Sequence, residues 1–251
     1  MSKYNAALLY FILSAGAMRC LAALPPDFTA THRIEYNGLR TGIAEVSWEI
    51  DRDGTYEYES SSWNTGLISL FRNKRRQESS LGSIGPDGIR PRVYRYQLTG
   101  GRQERHAELI FDWKNKLVEN RVDGTRWEMQ IPHGTVDKLS VQIAMMQELG
   151  EGKTDFRFPV ADGGKLKTYR FKVIGRETID GQAGRFDTIK VQRLREDNRA
   201  DTILWCAPSL SYLPVRILRR EEDEDEYRSD LESYSESLVV HGKTTRAWNE
   251  P

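Results

Sequence analysis

The chain has 251 residues, 29% of them charged and 38% hydrophobic, with 37 bases against 37 acids. That length suits one domain or a domain with appendages, and the apolar fraction permits a packed core, so wholesale disorder is excluded. Balanced charge lacks the basic footprint of a nucleic-acid binder, and no nucleic-acid partner is expected.

The N-terminal segment differs from the rest. Lys3 supplies a positive flank, Ala6 to Ala17 is apolar, and small residues suit cleavage after Ala22. This pattern predicts a secretory signal peptide over residues 1–22 and a periplasmic location. The apolar run is too short for a bilayer span, which needs roughly 20 residues, and no other stretch qualifies as a transmembrane helix. Cys20 raises the question of acylation, but the preceding Ala17-Met18-Arg19 puts an arginine where a lipidation signal wants a small residue. Removing residues 1–22 takes away Lys3, Arg19 and Cys20, leaving 35 bases, 37 acids, a net charge of −2 and the single cysteine Cys206. One thiol cannot form an intramolecular disulfide, so stability must come from the core.

From Thr29 onward the pattern has period two. Ala44, Val46, Trp48 and Ile50 alternate with polar residues, and runs 93–98, 109–113, 169–173, 186–191 and 213–218 read the same way. Alternation puts one set of side chains on a core face and the other in water. Asn37-Gly38, Asp53-Gly54, Asp87-Gly88, Asp123-Gly124 and Asp180-Gly181 are hairpin signals, because glycine accepts the positive φ that tight turns require. Strands at this spacing predict a mainly β fold: an antiparallel meander forming an open or partly closed barrel, a half-barrel, in one domain over residues 23–235. Residues 236–251 are expected to form a flexible tail.

One segment departs from that period. Val136, Leu139, Ile143 and Met146 recur at helical spacing, Thr135 or Asp137 can cap the start, and Gly150 and Gly152 can end it. The spacing predicts one amphipathic helix over 136–149, packed on the sheet. A shorter cluster, Gly66 to Phe71, predicts a helical turn closing over the sheet. Two charge runs stand out, Arg72 to Arg76 and the six acids Glu221 to Glu226. Cation binding and a phospholipid headgroup contact are the functional readings. Solvated hairpin tips, where charge deters edge-to-edge pairing, are the simpler one, and the acids lack calcium-loop spacing.

Reactive chemistry is hard to find. His32, His106, His133 and His241 show no zinc-protease spacing, and Cys206 has no neighbouring histidine or second cysteine. No nucleophile elbow and no phosphate-cradling glycine motif exist, so no catalytic residue, metal site or cofactor is assigned. The stretch Trp205 to Arg216, WCAPSLSYLPVR, carries a thiol, two hydroxyls and an arginine, yet neither serine has a base beside it. It reads as a strand, a turn at Ala207-Pro208-Ser209 and a returning strand whose Pro214 must face outward or sit in a bulge.

Trp205, Pro208 and Leu213-Pro214-Val215-Arg216 resemble the bacterial exported family known as domain of unknown function 3108. Phe111-Asp112-Trp113, Asp137-Lys138-Leu139-Ser140, residues 158–163 and Gly184-Arg185-Phe186 extend the resemblance over about residues 29–234. It implies an envelope protein and transfers no catalytic residue. The same hairpin is, more distantly, similar to one in periplasmic lipoprotein carriers of the LolA/LolB type, half-barrels that hold acyl chains around a helix. That likeness is at the level of fold.

Three functions follow. The first is a non-catalytic binding module: a curved sheet bearing Trp48, Trp63, Tyr94, Tyr96, Phe111 and Trp113, with Leu139, Ile143 and Met146 from the helix, would line an apolar cavity for a lipid or a lipoprotein acyl chain. The alternative for these side chains is a filled core, and cavity volume separates the two. The second is a hydrolase acting on envelope polymers, for which His106, Glu104, Glu108 and Cys206 are the nearest candidates. The third is a scaffold that contacts another envelope protein along a sheet edge.

Overall fold

A computed structural model describes residues 24–66, 69, 74–85, 88–101, 103–194, 200–220 and 225–237. The expected signal peptide, most of the 66–71 cluster, the acids 221–224 and residues 238–251 lie outside them.

The first half of the chain forms β1 (Phe28–Tyr36), β2 (Leu39–Ile50), β3 (Thr55–Asn64), β4 (Arg75–Gly85), β5 (Gly88–Thr99), β6 (Arg105–Asp112), β7 (Leu117–Val122) and β8 (Thr125–Gln130). The second half forms β9 (Val136–Asp137), the helix α1 (Val141–Gly150), β10 (Asp155–Asp162), β11 (Lys165–Gly181), β12 (Gly184–Leu194), β13 (Ala200–Ala207), β14 (Leu213–Arg220) and β15 (Glu226–Glu236). All fifteen strands join one sheet in the order β8-β7-β6-β5-β4-β3-β2-β1-β15-β14-β13-β12-β11-β10-β9. Two meanders thus run outward from a central pair, β1 and β15, the first and last strands of the described chain. Every ladder is antiparallel except β9 with β10.

The hairpin turns follow from sequence. Asn37 and Gly38 have φ of 48° and 78°, and Asp123 and Gly124 have 48° and 83°. Two successive positive φ values are what a two-residue primed turn requires. The expected turn at Asp180-Gly181 forms two residues later, because Gly181 still pairs with Gly184.

The helix is shorter than its periodicity predicts. Val136 and Asp137 leave the helical path to pair in parallel with Val160 and Ala161 of β10. The Asp137 carboxylate then accepts the backbone N–H groups of Leu139 and Ser140, each at 2.8 Å, and α1 starts after that turn. Val141, Ile143, Ala144, Met145, Met146 and Leu149 are all buried, so α1 is apolar around most of its circumference. It is a rod enclosed by the sheet rather than a ribbon lying on it.

The sheet rolls until its wings touch, without closing the hydrogen-bond ladder. Ala161 of β10 packs among Tyr94, Leu109, Phe111 and Val118 of β5–β7, together with Ile131. The Trp127 indole of edge strand β8 donates to the Gly164 carbonyl at 3.3 Å. Gly164 has φ +75°, and a Cβ there would stand 2.1 Å from the Trp127 ring, so glycine permits this approach.

Candidate functional site

The nine aromatic and aliphatic side chains expected around one cavity are distributed differently. Trp48 is fully buried, stacked on Tyr56 at 5.2 Å and edge-on to Tyr58 at 5.9 Å, and its indole N–H donates to the Pro25 carbonyl. Ile143 and Met146 pack in the same core. Tyr94 and Phe111 belong to the second cluster, against which Tyr96, Trp113 and Leu139 pack. Trp113 also donates to the Pro91 carbonyl and lies under the Arg90 guanidinium at 5.0 Å. Trp63 shares its row with Ile43 and Arg75, one residue out of step with Ser62, so strand alternation puts it on the opposite face. Of the nine, Trp48, Ile143 and Met146 are the ones packed in the core around α1.

Space opens further along the same inner face, because side-chain size tapers on two paired strands. On β2 the inner row runs Trp48, Val46, Ala44. On β3 it runs Tyr58, Ser60, Ser62, paired one to one with those residues. Small side chains leave a recess of about 460 Å³, with Ile34, Ala44 and Ile217 on its apolar wall. Arg76, Glu78, Arg219 and Tyr227 supply its polar groups. Arg76 and Tyr227 stand next to the start of β4 and β15, and Arg219 next to the end of β14, so these three mark the mouth. Arg228 also borders the recess, but its guanidinium is engaged by Glu35 and Asp230.

Glu78 organises the polar wall. Its side chain is 9% exposed and accepts the Tyr94 hydroxyl at 2.7 Å. Its other oxygen has Arg76 at 3.7 Å and Lys138 at 3.9 Å, and the Lys138 ammonium lies 5.5 Å from the centre of the Tyr96 ring. Burial and the neighbouring Glu78 charge push the Tyr94 phenol well above its ordinary range, so it stays a donor. One layer deeper, the Ser80 hydroxyl donates to Asp137, which leaves Tyr56 as the donor to Ser80 at 3.1 Å. Asp137 is fully buried, and desolvation raises its pKa above the usual carboxylate range. This network ties α1 to β3 and β4 and sits behind the recess.

Aromatic content alone directed attention to the core and away from the recess. The missed signal was the loss of size at spacing two: Tyr56, Tyr58, Ser60 and Ser62 fall on one face of one strand. The basic run was half of the second signal, since its last residue, Arg76, reaches the recess.

The enzyme candidates do not converge. His106 is exposed on β6, and Glu108 is held by Arg95 at 3.0 Å and Arg121 at 3.1 Å. Cys206 is fully buried and its thiol is pushed far above the ordinary range by desolvation, a poor nucleophile. The WCAPSLSYLPVR stretch is a hairpin: β13, a 3₁₀ turn over Pro208–Leu210, and β14, with a register shift opposite Pro214. Among the described residues no group of three or more His, Cys, Asp or Glu side chains is placed to hold a metal, and no helix is long and apolar enough to cross a membrane.

A family model described as protein of unknown function DUF3108 matches residues 31–232. The chain belongs to the DUF3108 family. No curated protein matches. A solved β-barrel-like protein of domain of unknown function DUF1849 from Brucella abortus aligns with a TM-score of 0.54 at 7% identity, covering 84% of this chain and 97% of that one. A candidate lipoprotein from Parabacteroides distasonis aligns at 0.34 and 10% identity, over 84% of this chain and 96% of its own. A candidate exported protein with a YmcC-like fold from Bacteroides fragilis aligns at 0.31 and 12%, over 83% and 95%. At such identities the DUF1849 protein shows a shared β-barrel-like fold and nothing about activity, and the two lower scores add no argument.

Proposed function

We propose that this DUF3108 protein is an exported, non-catalytic binding module of the cell envelope that takes an acyl chain into the recess between β1–β4 and β14–β15. The tapering of β2 and β3 carries the reading. Trp48 and Tyr58 fill the interior beside α1, and Ala44, Ser60 and Ser62 leave volume where the same two strands continue. A recess of about 460 Å³ lies within the roughly 300–1,000 Å³ range of small-molecule sites and combines an apolar wall with a few polar groups. Export is supported by the signal-peptide pattern of residues 1–22. The distant likeness to LolA/LolB-type carriers is consistent with an acyl ligand and supplies no residue-level argument.

The test is native mass spectrometry of the protein purified from the periplasm, followed by organic extraction. A mass excess that extracts as a lipid is the expected result. Ala44→Phe and Ser60→Phe, which fill the recess, should abolish that excess while the protein still folds. A purely apo mass for the wild type, with no uptake of added amphiphile, overturns the reading.

A further inference from the structure

Resting on that reading, we infer that the recess prefers an acyl chain bearing a hydroxyl close to its head over a plain saturated chain, and that Ser60 and Ser62 receive that hydroxyl. Hydrogen-bond satisfaction along the inner face carries the inference. Ser60, Ser62 and Ser229 line the recess and are half-buried, and among the described residues none of their side-chain hydroxyls has a partner. Ser80, deeper on the same wall, is satisfied on both sides, donating to Asp137 and accepting from Tyr56. Glu78 stands opposite Ser60 in the β3–β4 ladder, but its oxygens are engaged by Tyr94, Arg76 and Lys138. A hydroxyl in an open recess is served by solvent, and a ligand that displaces solvent without returning the hydrogen bond loses affinity. A saturated chain lying on this wall covers Ser60 and Ser62 and returns nothing. A chain hydroxyl returns the bond, because it both donates and accepts.

Register sets where along the ligand the hydroxyl falls. Ser62 is flanked by Ala44 on one side and by Arg76, at the mouth, on the other. Ser60 lies two residues further in, roughly 7 Å along the strand, beside Val46. Ile34 and Ile217 pair through Ser229 across β1, β15 and β14 and supply the aliphatic wall. A chain whose head stays at the mouth then lays its methylenes on that wall, and a hydroxyl within its first few carbons meets β3. The polar groups of the recess thus run along one side of the ligand as well as at its end.

The experiment is calorimetric titration of the protein purified from the periplasm, below micellar concentrations, with dodecanoate, 3-hydroxydodecanoate and 12-hydroxydodecanoate. The three share chain length and charge and differ only in the hydroxyl. The 3-hydroxy acid should bind roughly three- to tenfold more tightly than dodecanoate, the yield of one net hydrogen bond. The 12-hydroxy acid, with its hydroxyl at the far end, should show no such gain. In the double variant Ser60→Ala/Ser62→Ala the preference should vanish, with dodecanoate binding at least as tightly as before. Neither hydroxyl is bonded within the protein, so the variant orphans no partner and should unfold at the wild-type temperature. Equal affinity of the wild type for dodecanoate and the 3-hydroxy acid overturns the inference and leaves the acyl-binding reading standing. A preference that survives in the double variant, or an equal gain for the 12-hydroxy acid, does the same. No binding by any of the three acids takes down both.

Discussion

His32 shows how one side chain can repair a topological fault. The β14–β15 ladder ends at Arg216 and Asp230, so the Pro214 carbonyl has no β15 partner beyond it. The buried His32 ring fills that place, with Nε2 at 3.1 Å from the carbonyl oxygen. A carbonyl only accepts, so Nε2 carries the proton. Burial lowers the pKa of His32, and the Pro214 carbonyl and the Asp230 charge oppose that shift without reversing it. The unfolded chain therefore binds this proton more readily than the folded one. Stability from His32 is complete above the unfolded value near 6.5 and is lost as pH falls below it toward the lower folded value. Urea unfolding at pH 7.5 and 5.5 should show a larger loss for the wild type than for His32→Gln. An equal loss in both would mean that His32 does not titrate in this window.

Among the elements, α1 and the inner face of β2 and β3 divide the interior into a packed part and an open part. Truncations should report that division. Ile143→Ala removes a fully buried side chain from the enclosed helix and should cost about 2–5 kcal/mol. Ile217→Ala removes a half-buried side chain from the recess wall, where water already has access, and should cost about 1 kcal/mol. Equilibrium urea denaturation of both variants checks the contrast, and similar costs would mean that the recess wall is packed like the core. The helix was legible in sequence as a run of apolar residues, but its start was not. Val136 satisfies the helical period and Asp137 reads as a cap, and both still become strand, because β10 offers their backbone a partner and the Asp137 carboxylate caps the turn that follows. Propensity and period describe a segment alone, and pairing with residues 24 positions further along the chain decided this boundary.

For the whole molecule, the question is how a fifteen-stranded sheet holds its curl without a closed ladder. The two wings meet through side chains, Ala161 against the β5–β7 cluster and Trp127 on Gly164. Gly164→Ala adds a Cβ at a positive φ and against an indole, and should cost about 1–3 kcal/mol. Trp127→Ala in the same chain should recover much of that loss, because the obstructing ring is gone; a purely additive double-mutant cycle would place the strain in the backbone alone. The centre of the sheet depends on charge. Asp230 of β15 is nearly buried and is met by Arg33, Arg216 and Arg228, so a polar strand can occupy the middle of the fold. Each of these pairs is partly shielded from solvent, and together they tie β1, β14 and β15 to one another.

Sequence alone determined the local physics. Period-two alternation specified strands, asparagine and aspartate before glycine specified turns, and apolar spacing located the helix, because each depends on residues within about a turn or a hairpin of one another. The hairpin nature of Trp205 to Arg216 was legible for the same reason. Tertiary structure decided what depends on distant partners. Residues 226–236 carry no strong strand pattern, yet they form the central strand by pairing with β1, nearly 200 residues earlier in the chain. The aromatic side chains expected around one cavity are divided by the fold: Trp48 packs in the core around α1, Tyr94 and Phe111 belong to a second cluster, and Trp63 lies in a row on the other face. The recess lies instead where two paired strands taper together, and only the register between them, with Ala44 opposite Ser62 and Val46 opposite Ser60, turns two runs of small residues into one volume.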